Sequence, residues 1–149
     1  MEKKWTISRG GKVEIEAEDG KLTAPFKIST DEEYPSIRYI SAEKKGNGKA
    51  VYTVKARKAG DYTIKIRVKA ADRESDSVYI TVNDGKRGVI DFEIKPKWTL
   101  LSKPLIRPDQ EPKNRQPLIL KLKKGANTIV FTFRENNSKI DYFIIKKKK

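Results

Sequence analysis

Apolar and polar residues alternate with period two through most of this chain, and the pattern is cleanest from Asp61 to Ala70. Tyr62, Ile64, Ile66, Val68 and Ala70 fall on one side of that run; Thr63, Lys65, Arg67 and Lys69 fall on the other. Successive side chains of a strand point to opposite faces, so the spacing predicts a half-buried antiparallel strand with one wet face. A helical period of about 3.6 scatters the same apolar residues around the whole circumference. Gly60 before the run and "ADRESDS" after it supply turn chemistry at both ends.

The same reading applies along the rest of the chain. Glu2 to Ser8, with Trp5 and Ile7, reads as a short edge strand. Val13, Ile15 and Ala17 oppose Glu14, Glu16 and Glu18, and "EDGK" closes that run with a turn. Leu22 to Ile28 is a weaker strand whose Pro25 suits a sheet edge. Thr30 to Ser36 is a loop, Ile37 to Ser41 a short strand, and "EKKGNGK" another loop. Ala50, Tyr52, Val54 and Ala56 alternate up to "RKAGD", which turns into the Asp61 strand. Val78, Ile80 and Val82 lead into "NDGK", a tight-hairpin signal because Asp-Gly tolerates positive φ; Ile90, Phe92 and Ile94 continue beyond it.

From Lys95 to Pro117 the alternation breaks in a proline-rich stretch. It reads as a long ordered excursion with one short strand around Trp98 to Leu101. Leu118, Leu120 and Leu122 resume the pattern, followed by Ile129, Phe131 and Phe133. After "RENNS" the final strand, Ile140 to Ile145, is apolar on both faces apart from Asp141. The terminal lysines, Lys146 to Lys149, read as a solvated tail. About ten short strands separated by turn signals predict an all-β antiparallel sandwich or barrel. One domain over residues 1–149, with its core at about 13–145, accommodates them.

Composition then narrows the chemistry. The chain has no histidine and no cysteine, which excludes disulfides, thiolate metal sites and the familiar Ser/His/Asp and Cys/His nucleophile systems. No apolar run approaches the ~20 residues of a membrane span, and no signal peptide is visible. The net charge of +14 fits an anionic partner such as an acidic polysaccharide or nucleic acid. Because the lysines alternate along nearly every strand instead of clustering, a solubilising decoration that protects sheet edges is the favoured reading.

Several landmarks stand in a fixed order: "VEIEAEDG", "AVYTVKARKAGDYTIKIRVKA", "DSVYITVNDGK", a Trp-bearing excursion, "LKLKKGANTIVFTFRE" and "SKIDYFII". From Val13 to Ile145 the chain resembles the β-jelly-roll, galactose-binding-domain-like carbohydrate-binding modules of families six and thirty-five, which are appended to polysaccharide-degrading enzymes. The resemblance implies an extracellular, monomeric, non-catalytic module with a structural calcium. Its ligands map onto Glu16, Glu18 and Asp141, with backbone carbonyls near Arg38 and Tyr39 completing the shell. Calcium takes several oxygen ligands, and carboxylates two apart on a strand share a face. The alternative is that Glu14, Glu16 and Glu18 form an ordinary solvent face.

The resemblance also implies a sugar platform in the loops at one end of the sandwich. Aromatic rings cover the apolar C–H face of a pyranose while polar groups fix its hydroxyls. Trp98 sits in the excursion that supplies the platform tryptophan, and Tyr34 in the loop that supplies a partner ring. Asn136 and Asn137, flanked by Arg134 and Glu135, precede the last strand; Arg107 is suited to a uronate carboxylate. Each has a structural alternative: Trp98 as a loop anchor, Tyr34 as a turn aromatic, the asparagines as turn residues.

Three functions remain open on sequence alone. One is glycan binding. Another is single-stranded nucleic-acid binding by interleaved lysines and aromatics, the less favoured reading. The third is a redesigned or thermophile-derived scaffold that keeps the jelly roll without a ligand site. Catalysis is disfavoured, since no pair of carboxylates stands out by spacing.

Overall fold

The computed structural model describes residues 3–148. Fifteen strands are present among them: β1 Lys4–Thr6, β2 Lys12–Glu16, β3 Lys21–Leu22, β4 Phe26–Thr30, β5 Arg38–Ala42, β6 Lys49–Ala56, β7 Gly60–Ala70, β8 Ser77–Val82, β9 Gly88–Asp91, β10 Lys95–Leu101, β11 Leu105–Arg107, β12 Gln116–Pro117, β13 Ile119–Leu122, β14 Gly125–Thr132 and β15 Lys139–Lys147. A single 3-10 turn, Ala17–Asp19, follows β2. Among the described residues no helix is long and apolar enough to cross a membrane.

The strands form two sheets. The first runs β1-β6-β14-β8-β9-β11-β12, with β3 alongside β6. The second runs β10-β7-β15-β5-β4, with β13 extending the β10 side of β7 and β2 pairing with β15. All pairs are antiparallel except β1 with β6. Two sheets packed in this way make a jelly-roll sandwich, as the spacing of strands and turns predicts.

The Asp61 strand is the spine of the second sheet. Tyr62, Ile64, Ile66, Val68 and Ala70 of β7 are all buried, and Thr63, Arg67 and Lys69 point the other way. That outer face is only partly wet, however, because side chains from β10, β15 and the β4–β5 loop fold across it. Between the sheets, the edge of Tyr52 on β6 meets Phe143 on β15 at 4.9 Å and 88°, and Phe131 on β14 completes an aromatic triad. Such edge-to-face contacts add about 0.5–1.5 kcal/mol each beyond area burial. The Tyr52 hydroxyl donates to the Ala17 carbonyl at 2.6 Å, pinning the 3-10 turn against the core.

Several expectations need correction. The Leu22–Ile28 stretch is two strands in different sheets, because the chain crosses between layers at Ala24–Pro25, a cis peptide. The "NDGK" hairpin is wider than a two-residue turn. Residues 83–87 connect β8 to β9, and positive φ falls on Asn83 (53°), whose side-chain carbonyl accepts the Thr128 amide. The Lys95–Pro117 excursion holds three strands instead of one: β10, which contains the expected Trp98–Leu101 strand, β11 and β12. It pairs with β7 through β10, crosses to the first sheet as β11 beside β9, and returns as β13. Lys146 and Lys147 continue β15 instead of forming a tail, while Glu2 and Lys149 lie outside the described residues.

Candidate functional site

The first and last core strands lie side by side, with Glu16 of β2 opposite Tyr142 of β15. The β15–β7 register slips between Ile140 and Tyr142, so Asp141 is the extra residue of a β-bulge. Bulges turn a side chain out of strict alternation. Here the bulge sends the Asp141 carboxylate to the Arg67 guanidinium at 3.1 Å and toward Glu16 and Glu18. One oxygen from each of Glu16, Glu18 and Asp141 lies within 4.8 Å of the others.

Three carboxylates at that range repel one another. Burial, reinforced by Glu18, Asp141 and Glu14, pushes the Glu16 carboxyl up to about 7. Burial also holds Glu18 above the usual carboxylate range, with Arg38 a partial offset. Asp141 is likewise raised by burial in spite of Arg67. Glu18 Oε1 is buried with no hydrogen-bond partner, which is costly for an acceptor unless something else occupies it. The β5 strand that carries Arg38 and Tyr39 packs beside the 3-10 turn. This donor set, all hard oxygen with three carboxylates and Arg67 paired to Asp141, fits a calcium ion.

Beside this cluster, Arg67 leads to the aromatic group. The β10–β7 register slips between Lys95 and Thr99, and Trp98 sits in that irregularity, leaning over the outer face of β7. Its indole Nε1 donates to Asp31 Oδ1 at 3.1 Å, and its ring lies 5.6 Å from that of Tyr39 on β5. The Arg67 guanidinium and Lys69 ammonium stand 6.0 and 5.9 Å from the indole. Asp31 is 5% exposed and also accepts from Lys69 and from the backbone amides of Glu33 and Tyr34. Burial alone pushes its carboxyl up, but the Tyr34 amide, Trp98 and Lys69 outweigh that and hold it below the usual range. One carboxylate therefore fixes both the Trp98 ring and the loop that holds Tyr34, whose own side chain is 53% exposed. Next to them Asp31, Glu32, Glu33, Tyr39, Lys69 and Lys139 line a cavity of about 210 Å³.

No protein-family model matches the chain, and no curated protein matches it. Solved structures do. The GH26-CBM35 β-(1,4)-mannanase of Podospora anserina superposes with a TM-score of 0.72 at 21% identity, over 95% of this chain and 28% of that one. A family 35 carbohydrate binding module from Clostridium thermocellum gives 0.67 at 21% identity, covering 92% of this chain and 98% of the module. A CBM6 module of Cellvibrio mixtus lichenase 5A, solved with cellotriose, gives 0.64 at 14%, covering 92% and 98%. The chain has the fold of the family 35 and family 6 carbohydrate-binding modules.

Within this carbohydrate-binding-module fold, the remaining sequence-selected residues stand elsewhere. Arg107 on β11 is 7% exposed and grips Asp91 through both Nε (2.6 Å) and a terminal nitrogen (3.0 Å). The fork suited to a uronate is thus filled by a carboxylate of the chain itself. Arg134 bonds Ser77 Oγ at 2.7 Å and Asp109 at 3.2 Å. Asn136 and Asn137 are exposed, and Asn137, at φ 60°, donates its amide to the Ala42 carbonyl. Among the described residues no hydrogen bond or ring contact joins Arg107, Arg134 or the asparagines to Trp98 or Tyr34. Ser138, which exchanges two hydrogen bonds with Ser77, ties their loop to the first sheet just before Lys139.

Sequence reasoning missed Asp31, Arg67, Lys69 and Lys139, and named Tyr39 only for its backbone carbonyl. Asp31 carried a usable signal: an aspartate opening a loop often accepts amides two and three residues on. Arg67 and Lys69 carried none, since charged residues on a strand's outer face look alike whether solvated or covered.

Proposed function

We propose that the protein is a non-catalytic carbohydrate-binding module that takes a polysaccharide or oligosaccharide on the face around Trp98 and Tyr39, with calcium at Glu16, Glu18 and Asp141. The observation that carries this reading is the shared Asp31 carboxylate. It spends two buried oxygens on holding Trp98 and the Tyr34 loop beside an open cavity. A ring that served only as core would lie under the sheet, not on it. Trp98 and Tyr39 offer apolar surface to a pyranose face, and Tyr34 stands ready at the rim.

Lys139 favours an acidic glycan, because its ammonium borders the cavity 5.1 Å from the Tyr39 ring centroid, whereas Lys69 is paired with Asp31. Glu32 and Glu33 are suited to accept sugar hydroxyls. Asn136 and Asn137, exposed on the loop that leads to Lys139, extend the site for a longer chain, and Arg134 anchors that loop to Ser77, while Arg107 is engaged with Asp91 and takes no part. In the calcium site the three carboxylates supply anionic ligands, and the ion, when bound, locks β2 to β15 and screens their repulsion. Arg67, shared between Asp141 and the Trp98 face, links the two regions. The setting proposed is extracellular, with the module attached to a polysaccharide-degrading enzyme.

The test is affinity electrophoresis against uronate-containing and neutral polysaccharides in calcium buffer. Retardation by uronate polymers that is lost in Trp98→Ala supports the reading. Equal mobility of wild type and variant on every polymer overturns it.

A further inference from the structure

Away from the Trp98 face, the loop between β1 and β2, the β6–β7 turn and the end of β15 border an open cavity of about 450 Å³. Arg9, Arg57, Lys58, Lys146 and Lys147 line it, and among the described residues no carboxylate does. Among the described residues none of the five forms an ion pair, although nine other pairs are present in the same set. Unpaired like charges around one concavity focus a positive potential into it and raise the local concentration of anions.

The cavity is built, not merely decorated. Lys147 runs across it over two glycines that leave the space. A Cβ on Gly11 (φ 77°) would come within 2.8 Å of Lys147 Cβ, and one on Gly60 (φ 148°) within 2.6 Å of Lys147 Nζ. The ammonium is thereby laid 5.2 Å from the ring centroid of Tyr62. Tyr62 is fixed in turn by donating its hydroxyl to the Lys58 carbonyl at 2.7 Å. Lys147 is half-buried and held in place, while Arg9, Arg57, Lys58 and Lys146 are exposed.

We infer that this cavity is a second binding site, for a phosphate or sulfate ester on a carrier of about one sugar unit. The positioned Lys147 ammonium meets the oxyanion, and Arg57 and Arg9 offer forked donors to its remaining oxygens. The volume exceeds what a bare tetrahedral ion fills and falls within the range of small-molecule pockets, about 300–1,000 Å³. The site stands independently of the glycan face.

The full chain is titrated calorimetrically at low ionic strength with glucose 6-phosphate, with inorganic phosphate and glucose as references. Saturable one-site binding of glucose 6-phosphate, weaker binding of phosphate and none of glucose are expected. Amide shifts should centre on residues 8–11 and Gly60. The double variant Arg57→Ala/Lys147→Ala is expected to lose at least tenfold in affinity. Lys44→Ala/Lys45→Ala, which removes the same charge from an exposed loop, should stay within twofold, and so should Trp98→Ala. Equal losses in the two double variants, or shifts scattered over the lysines of both sheets, would reduce the effect to net charge and overturn the proposal. Phosphate binding without glucose 6-phosphate binding would overturn it as well.

Discussion

Asp31 and Trp98, far apart in sequence, are joined by a 3.1 Å hydrogen bond from the indole to a buried carboxylate. That bond ties the irregular stretch of β10 to the loop after β4 and holds a tryptophan on the outside of a sheet. Asp31→Asn keeps the shape but gives up the charge that Lys69 and two backbone amides also use. Removing a partner from such a buried network costs about 1–3 kcal/mol. Because the Asp31 carboxyl is held below its free value of 3.8, its contribution is present above that pH and is lost as pH falls through the lower folded value. Denaturation of wild type and variant should therefore differ at pH 7 and converge in strong acid.

The acidic cluster has the opposite sign. Glu16 is raised from 4.5 to about 7, so without a cation its contribution is full below 4.5 and is lost as pH rises through 7. Calcium should remove that loss. At a hundredfold excess over its dissociation constant, a bound ion stabilises by about 2.7 kcal/mol, or roughly 5–10 °C in Tm. Adding a chelator at pH 8 should lower Tm by that amount in wild type and by little in Glu16→Gln. A Tm indifferent to calcium in wild type would remove the ion from the account.

Asp76 gives a second, metal-independent pH effect. Burial and the neighbouring Glu135 raise its carboxyl to about 7, so the chain loses stability as pH rises from 3.8 through 7. Asp76→Asn should be more stable than wild type at pH 8, by about 1 kcal/mol after solvent screening, and no more stable at pH 4. Urea midpoints at the two pH values measure it.

The sandwich was largely legible because period-two alternation follows directly from which face of a strand meets the core. Tyr62 to Ala70 and Ala50 to Ala56 read correctly residue by residue. The excursion was legible as strand only around Trp98 to Leu101, which lies in β10; elsewhere its prolines and bulge break the alternation that identifies one. The Glu16, Glu18 and Asp141 cluster was reachable through resemblance, and its geometry is explained by a bulge that no pattern announces. The Trp98 surroundings depend on which charged side chains cross a sheet's outer face. Lys69 and Lys65 share a face and look the same in sequence, yet only Lys69 meets a buried partner.

Gly20 tests the packing beneath the site. A Cβ there would intrude on the Tyr52 ring, whose hydroxyl holds the 3-10 turn that carries Glu18. Gly20→Ala should cost about 1–3 kcal/mol through overpacking and weaken calcium binding alongside. Thermal denaturation with and without calcium reads both effects.

Calorimetric titration of a uronate oligosaccharide into wild type and Trp98→Ala, both in calcium buffer and both verified as folded by circular dichroism, is the most direct measurement. Stacking of a sugar on the indole predicts saturable binding by wild type and at least a tenfold loss in the variant. Wild-type binding that survives the loss of Trp98 unchanged would contradict the assignment of this face as the glycan site.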